Sequence, residues 1–216
     1  MLKTIWNNIN ERLNSGSEFF ALIPIRLILF WEFYESGMAK INGENWFNSS
    51  MFPFPFSALS SELNWTLAAY GEVLVAILIL LGLFTRFAAV SLIVITAVAV
   101  AAVHWPESYN SLSELWKGYS VSNNGFGNYK LGLLFIIMAI PLVFNGAGKI
   151  SLDYVLNRFI PVSTQEKLCD LGAIGLAAML FGLVFVFLMP IFGGILILSG
   201  IALLAYQRFL KGNSTA

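Results

Sequence analysis

Seven ionisable side chains stand in stretches of sequence where ionisable side chains are scarce. Arg26, Glu32, Glu35 and Lys40 fall in the apolar run 18–41, Glu72 in the run 63–84, His104 at the end of the run 87–105 and Lys130 at the start of the run 129–144. On insertion scales a charge at the centre of a membrane span costs about 2.5–3.5 kcal/mol, so embedded charges turn inward and find partners. Glu72 lies close to the middle of its run, and Arg26 lies within a guanidinium stem's reach of the middle of its own. This spacing predicts a buried Arg26–Glu72 ion pair, which either sets the register of two helices or forms the floor of a polar pocket. Glu32 and Glu35 are three residues apart, on one side of a helix. With Tyr34, Lys40, His104 and Lys130 they are expected to line a second, outward-facing polar site. Two carboxylates sharing one proton there would suit quinone or proton chemistry. The plainer alternative is that these side chains, His104 beside Trp105 among them, snorkel to the interface.

Other chemistries are poorly served. His104 is the only histidine, and one imidazole supplies neither two haem ligands nor a zinc cage, so no metal and no covalently held cofactor are expected. Cys169 is the only cysteine, so dithiol chemistry would have to come from a partner. Gly146–Ser151 contains Gly-Lys but lacks P-loop spacing and a preceding strand, and reads as a helix end. Twelve basic residues balance twelve acidic ones, which argues against a nucleic-acid partner.

The elements that must position these residues are membrane helices. Of 216 residues 58% are hydrophobic and 11% charged, with mean hydropathy +0.77, whereas a soluble domain carries about 25% charged residues. The uninterrupted apolar runs predict an all-α, polytopic membrane helix bundle. Residues 1–17 read as an amphipathic interfacial helix with Leu2, Ile5, Trp6, Ile9 and Leu13 on one face, ending in a turn at 14–17. Four spans follow within 18–153, the first serving as the membrane address in place of a cleavable signal. A loop rich in Phe and Pro separates the first two spans and a polar loop the last two. Ser151 is expected to cap a short interfacial helix to Phe159, within a linker over 154–170. Residues 171–207 form a hairpin broken at Pro190, with glycines that let its helices approach closely, and 208–216 are a tail. Placing the N-terminus inside puts eight Lys/Arg (Lys3, Arg12, Arg86, Lys149, Arg158, Lys167, Arg208, Lys211) on the cytoplasmic side against three outside. That predicts a multi-pass membrane protein with both termini cytoplasmic.

Arg26 with Gly37 and Lys40, Glu72 followed by Leu81-Gly82-Leu83-Phe84-Thr85-Arg86, and Gly146-Ala147-Gly148-Lys149-Ile150-Ser151-Leu152-Asp153 together resemble the DoxX family. The resemblance covers the first span through Asp153 and leaves out the final hairpin. Such proteins often carry a Glu at the start of the fourth helix, where this chain has Lys130. The resemblance implies a four-helix membrane core over 18–153. Some members are similar to a subunit of a thiosulfate:quinone oxidoreductase or to the membrane anchor of a thiol-redox complex. It therefore points to an oxidoreductase-associated subunit that binds quinone or a small sulfur compound and acts with a soluble or membrane redox partner. Two other readings of the residues stand beside it. One is a small-molecule transporter, suggested by the midplane charges and the Gly/Pro-interrupted hairpin. The other is a non-catalytic membrane scaffold.

Overall fold

A proline decides where the first helix stops. In the computed structural model, which describes residues 2–48, 51–106, 108–118, 127–160 and 170–213, α1 (Leu2–Phe20) and α2 (Ile23–Asn42) part at Ala21 and Leu22. Pro24 has no N–H to give, and its ring excludes the carbonyl of Phe20 four residues earlier. The turn expected at 14–17 does not form. Ser17 Oγ bonds back to the Asn14 carbonyl at 2.7 Å, so the hydroxyl is satisfied inside the helix. α1 buries no residue, and Leu2, Trp6 and Leu13 are 84%, 65% and 66% exposed.

The remaining elements are α3 (Ser61–Leu81), α4 (Thr85–Ala99, continued by a π-helical turn Val100–His104), the single turn α5 (Leu112–Leu115), α6 (Lys130–Asn145), α7 (Leu152–Phe159), α8 (Leu171–Leu188) and α9 (Pro190–Asn213). Ser60 caps α3 by accepting from Leu63 N at 3.2 Å, and Ser151 caps α7 by accepting from Tyr154 N at 3.2 Å. α2, α3, α8 and α9 are each at least 18 residues long, and α4 with its π-turn covers 20. At 1.5 Å per residue these lengths match a hydrocarbon core of about 30 Å. α6 is a shorter apolar helix of 16 residues. Their outer faces carry Leu67, Leu74, Phe87 and Ile137, all more than half exposed, as lipid-facing side chains are. The chain is a polytopic α-helical membrane protein, with no strand among the described residues.

Two compact units divide the chain. The first comprises 1–50, 54–95 and 133–162. In it α2 turns Arg26, Leu29, Phe33 and Gly37 inward, and α3 runs antiparallel to it. The core is made by Leu29, Ala76, Ile79, Leu92, Ala139 and Leu142, each fully buried. The second unit comprises 51–53, 96–132 and 163–216. There Asp170 caps α8 by accepting from Ala173 N at 3.0 Å, and also accepts from Gln207 on α9. A Cβ on Gly175 would lie 2.8 Å from the Gly200 carbonyl, so the α8–α9 hairpin needs small residues at that crossing. The expected linker beyond Ile160, with Pro161, Lys167 and Cys169, lies outside the described residues, as do 119–126 of the polar loop and 214–216 of the tail.

Candidate functional site

Helix ends in an apolar bundle create a demand for polar partners, because each leaves its last carbonyls or first amides unpaired. α3 ends at Gly82, whose φ of +61° is the left-handed conformation glycine adopts most cheaply. Leu83 N then bonds the Leu78 carbonyl at 2.9 Å and Gly82 N the Ile79 carbonyl at 3.1 Å, the 6→1 closure common at helix C-termini. Arg26, 6% exposed on α2, takes the open Leu80 carbonyl and shares that of Ile79 with Gly82. Its Nε donates to Ile79 O at 2.9 Å and its Nη2 to Leu80 O at 2.5 Å, while Nη1 reaches Ala147 O at 3.2 Å and Ile150 O at 2.6 Å in the loop after α6. One guanidinium thus ties α2, the end of α3 and the α6–α7 loop together.

The neighbouring ends are closed by the same logic. Arg86 Nη1 donates to Val143 O at 2.6 Å and Phe144 O at 3.0 Å at the end of α6. Asp153 Oδ1 and Oδ2 accept from Phe84 N at 2.7 Å and Thr85 N at 2.9 Å at the start of α4, and Asp153 N donates to Gly82 O at 2.8 Å. Cations thus sit at two helix C-termini and a carboxylate at an N-terminus, each on the side the helix dipole favours. Asp153 also holds Phe84, a non-glycine residue at φ +47°. Lys149 N donates to Glu18 O at 2.8 Å and its Nζ pairs with the Glu18 carboxylate at 2.5 Å, which fastens the end of α1 to the same loop. The Glu18 hydrogen bond raises the Lys149 pKa, and a bond from Arg158 lowers that of Tyr154. The roles of Arg86 and Asp153 were not foreseen from sequence. The signal available was that α4 begins after Leu-Phe, with no capping side chain of its own.

Arg26 is therefore not the partner of Glu72. Glu72, 5% exposed near the middle of α3, binds Lys40 Nζ at 2.8 Å, and the same ammonium reaches Ser36 Oγ at 2.8 Å. Helical phase explains the exchange. At 100° per residue, Lys40 continues the inward stripe of Arg26, Leu29, Phe33 and Gly37, whereas Glu32 and Glu35 fall on other sides of the helix. Both are exposed, with Glu35 accepting from Trp31 Nε1 at 3.1 Å. Tyr34 is also exposed and stacks 5.2 Å from Phe30. The expected gathering of Lys40 with Glu32 and Glu35 is thus replaced by the Lys40–Glu72 pair.

His104 and Lys130 belong to the second unit. His104 closes the π-helical turn and shares a 2.6 Å hydrogen bond between Nδ1 and Asn128 Oδ1. Lys130 Nζ lies 5.4 Å from the centre of the Trp116 ring, a cation–π contact. Beside them Tyr129 donates to the Leu115 carbonyl, and burial raises its phenolic pKa. Among the described residues no group of three or more His, Cys, Asp and Glu side chains gathers.

No solved structure matches the chain. An uncharacterized protein of Haemophilus influenzae is 36% identical over 149 residues, which is 68% of this chain and 90% of that protein. The DoxX family model matches residues 21–105, the stretch from the break before α2 to the end of the π-helical turn. It contains Arg26, Lys40, Glu72 and Arg86, so the residues that close the α3 and α6 ends and the embedded ion pair all lie within the matched segment: the chain belongs to the DoxX family.

Proposed function

We propose that this protein is the membrane subunit of a redox system linked to quinone or a small sulfur compound, and that it acts with a partner protein. The observation that carries this reading is the Lys40–Glu72 pair. Arg26 and Arg86 are committed to main-chain carbonyls, and Glu32 and Glu35 face outward. Lys40, in the last turn of α2 and also donating to the Ser36 carbonyl at 3.4 Å, instead forms a donor–acceptor couple with Glu72 inside the bundle, the two side chains 17% and 7% exposed. A cation beside a carboxylate fits the polar head of a quinone. Lys40 would donate to a carbonyl oxygen, and Glu72 would accept or return a proton at the hydroxyl. Burial of the pair between α2 and α3 lowers the local dielectric, which strengthens both interactions. A bound quinone supplies two-electron, two-proton chemistry, and in this reading the partner protein carries the electrons. The eight-to-three bias of basic residues supports cytoplasmic termini, and the family supports a bacterial inner-membrane location.

A second reading, a membrane scaffold that only holds a partner in place, is favoured by the commitment of Arg26, Arg86 and Asp153 to closing helix ends. Quinone analysis separates the two. The full chain is purified in mild detergent, its lipids are extracted for quinone, and binding of a short-chain ubiquinone analogue is measured by fluorescence quenching. The redox reading expects saturable binding that Lys40→Met abolishes in folded protein. Absence of any quinone binding by the unaltered chain leaves the scaffold.

A further inference from the structure

The turn between α3 and α4 and the loop between α6 and α7 enclose a cleft of about 480 Å³ within the first unit. Its polar groups can be accounted for one by one. The start of α4 offers four amides that the helix itself cannot satisfy, those of Phe84, Thr85, Arg86 and Phe87, and all four residues line the cleft. Asp153 takes the first two. The amides of Arg86 and Phe87 have no partner inside the helix, and the positive end of the helix dipole lies at the same turn. The fully buried Thr85 also lines the cleft, and its hydroxyl has no partner among the described residues. Arg86 spends only Nη1 on the α6 carbonyls and is otherwise exposed, leaving further N–H donors in its fork. The two carboxylate oxygens of Asp153 are both turned to the Phe84 and Thr85 amides. What remains on the cleft wall is the unused donors of the Arg86 guanidinium, the amides of Arg86 and Phe87 and the side chain of Asn157, while Asn145 already donates to the Pro141 carbonyl at 3.1 Å.

Such a donor set suits a tetrahedral anion with several oxygens. The surroundings indicate its source. Phe84 and Phe87 at the mouth are 62% and 69% exposed, and α7 alongside exposes Leu152, Val155 and Phe159, a border of apolar side chains that belongs at the level where head groups meet acyl chains. We propose that this cleft binds the phosphate of a phosphate ester, supplied by the head group of a membrane phospholipid. The site lies apart from Lys40–Glu72 and stands whether or not the redox reading holds.

The test uses the full chain, delipidated in detergent, with dioleoyl phosphatidylglycerol, glycerol 3-phosphate and dioleoylglycerol as probes in native mass spectrometry and thermal-shift titrations. Phosphatidylglycerol is expected to bind saturably and to raise the melting temperature, while dioleoylglycerol does neither. Asn157 is exposed on α7, so Asn157→Asp places a like charge at the mouth without removing a structural contact. It should weaken phosphatidylglycerol binding about tenfold, the effect of one repulsive charge at close range in a half-exposed setting. Arg86→Gln should weaken it further and Arg86→Lys restore part of the loss. Equal binding of glycerol 3-phosphate overturns the lipid source while upholding the phosphate site. Binding of dioleoylglycerol as tight as that of phosphatidylglycerol, or binding unchanged by Asn157→Asp in protein of unaltered melting temperature, overturns the site.

Discussion

Replacing Arg26 with Met removes the guanidinium and keeps the apolar stem. The Ile79 carbonyl retains its bond from Gly82 N, but Leu80, Ala147 and Ile150 lose the donor that Arg26 supplies. An orphaned buried acceptor costs about 1–3 kcal/mol. Ala147 also lines the cleft and Ile150 is 47% exposed, so water offsets part of the loss and the low end applies, about 3–5 kcal/mol in all. For a chain of this size each kcal/mol moves the melting temperature by about 2–4 °C, so a fall of about 6–20 °C is expected. Thermal unfolding of the detergent-purified protein followed by tryptophan fluorescence reads it. Arg26→Lys should lose about half as much, since one ammonium cannot span both helix ends. A double-mutant cycle supplies the sharper contrast. Arg26 and Glu72 share no partner, so their changes should add within about 0.5 kcal/mol, whereas Lys40 and Glu72 should couple by more than that. A fall below about 2 °C for Arg26→Met, under the scale of one lost kcal/mol, would refute the reasoning. So would an Arg26–Glu72 coupling larger than the Lys40–Glu72 one.

Gly82→Ala should destabilise by about 2–5 kcal/mol, because a Cβ costs about 1–2 kcal/mol in the left-handed region and overpacking adds a further 1–3. The new atom would stand 2.6 Å from Ser151 Cβ and 2.9 Å from Arg26 Nη2; the same melting assay reads it. Asp153→Asn keeps one acceptor oxygen but turns an amide donor toward the other N–H, at a cost of about 1.5–3 kcal/mol for one charge-assisted bond. Hydrogen exchange of the first turn of α4 should accelerate in that variant before exchange in α3 changes. Absorbance at 295 nm against pH should show Tyr154 ionising below the ordinary value near 10 and Tyr129 above it. Tyr129→Phe should remove the late component. Because the folded chain holds the Tyr129 proton more tightly than the unfolded one, that stabilisation is complete below pH 10 or so and declines as pH rises further.

Much of the fold is written in local signals. Uninterrupted apolar runs locate α3 and α8 to within a few residues, Pro190 marks the start of α9, which continues to Asn213 past the end expected at 207, and Ser151 caps α7 as its position suggests. The break after α1 was equally legible in Pro24, yet the poor helix formers between Asn14 and Ser17 drew the boundary toward themselves. The site was harder to read. A rule that embedded charges seek opposite charges points Arg26 at Glu72, but unpaired carbonyls at a helix end attract a guanidinium as strongly, and which lies nearer depends on how the helices pack. Lys40 was grouped with Glu32 and Glu35 by proximity along the chain. Helical phase places it with Arg26, Phe33 and Gly37 instead, and so opposite Glu72. Asp153 escaped notice because its partners, the amides of Phe84 and Thr85, are distant in sequence and carry no side-chain signature.

The division of labour among the embedded charges is tested most directly by the affinity of a short-chain ubiquinone analogue for Glu72→Gln in protein that still melts cooperatively. Glu72 and Lys40 receive the ligand in this account, while Arg26 and Asp153 hold the helices. Binding should therefore fall by about tenfold or more, the equivalent of about 1.4 kcal/mol, in Glu72→Gln and remain near that of the unaltered chain in Arg26→Lys. Unchanged affinity in Glu72→Gln, or its loss in a well-folded Arg26→Lys, would contradict that assignment.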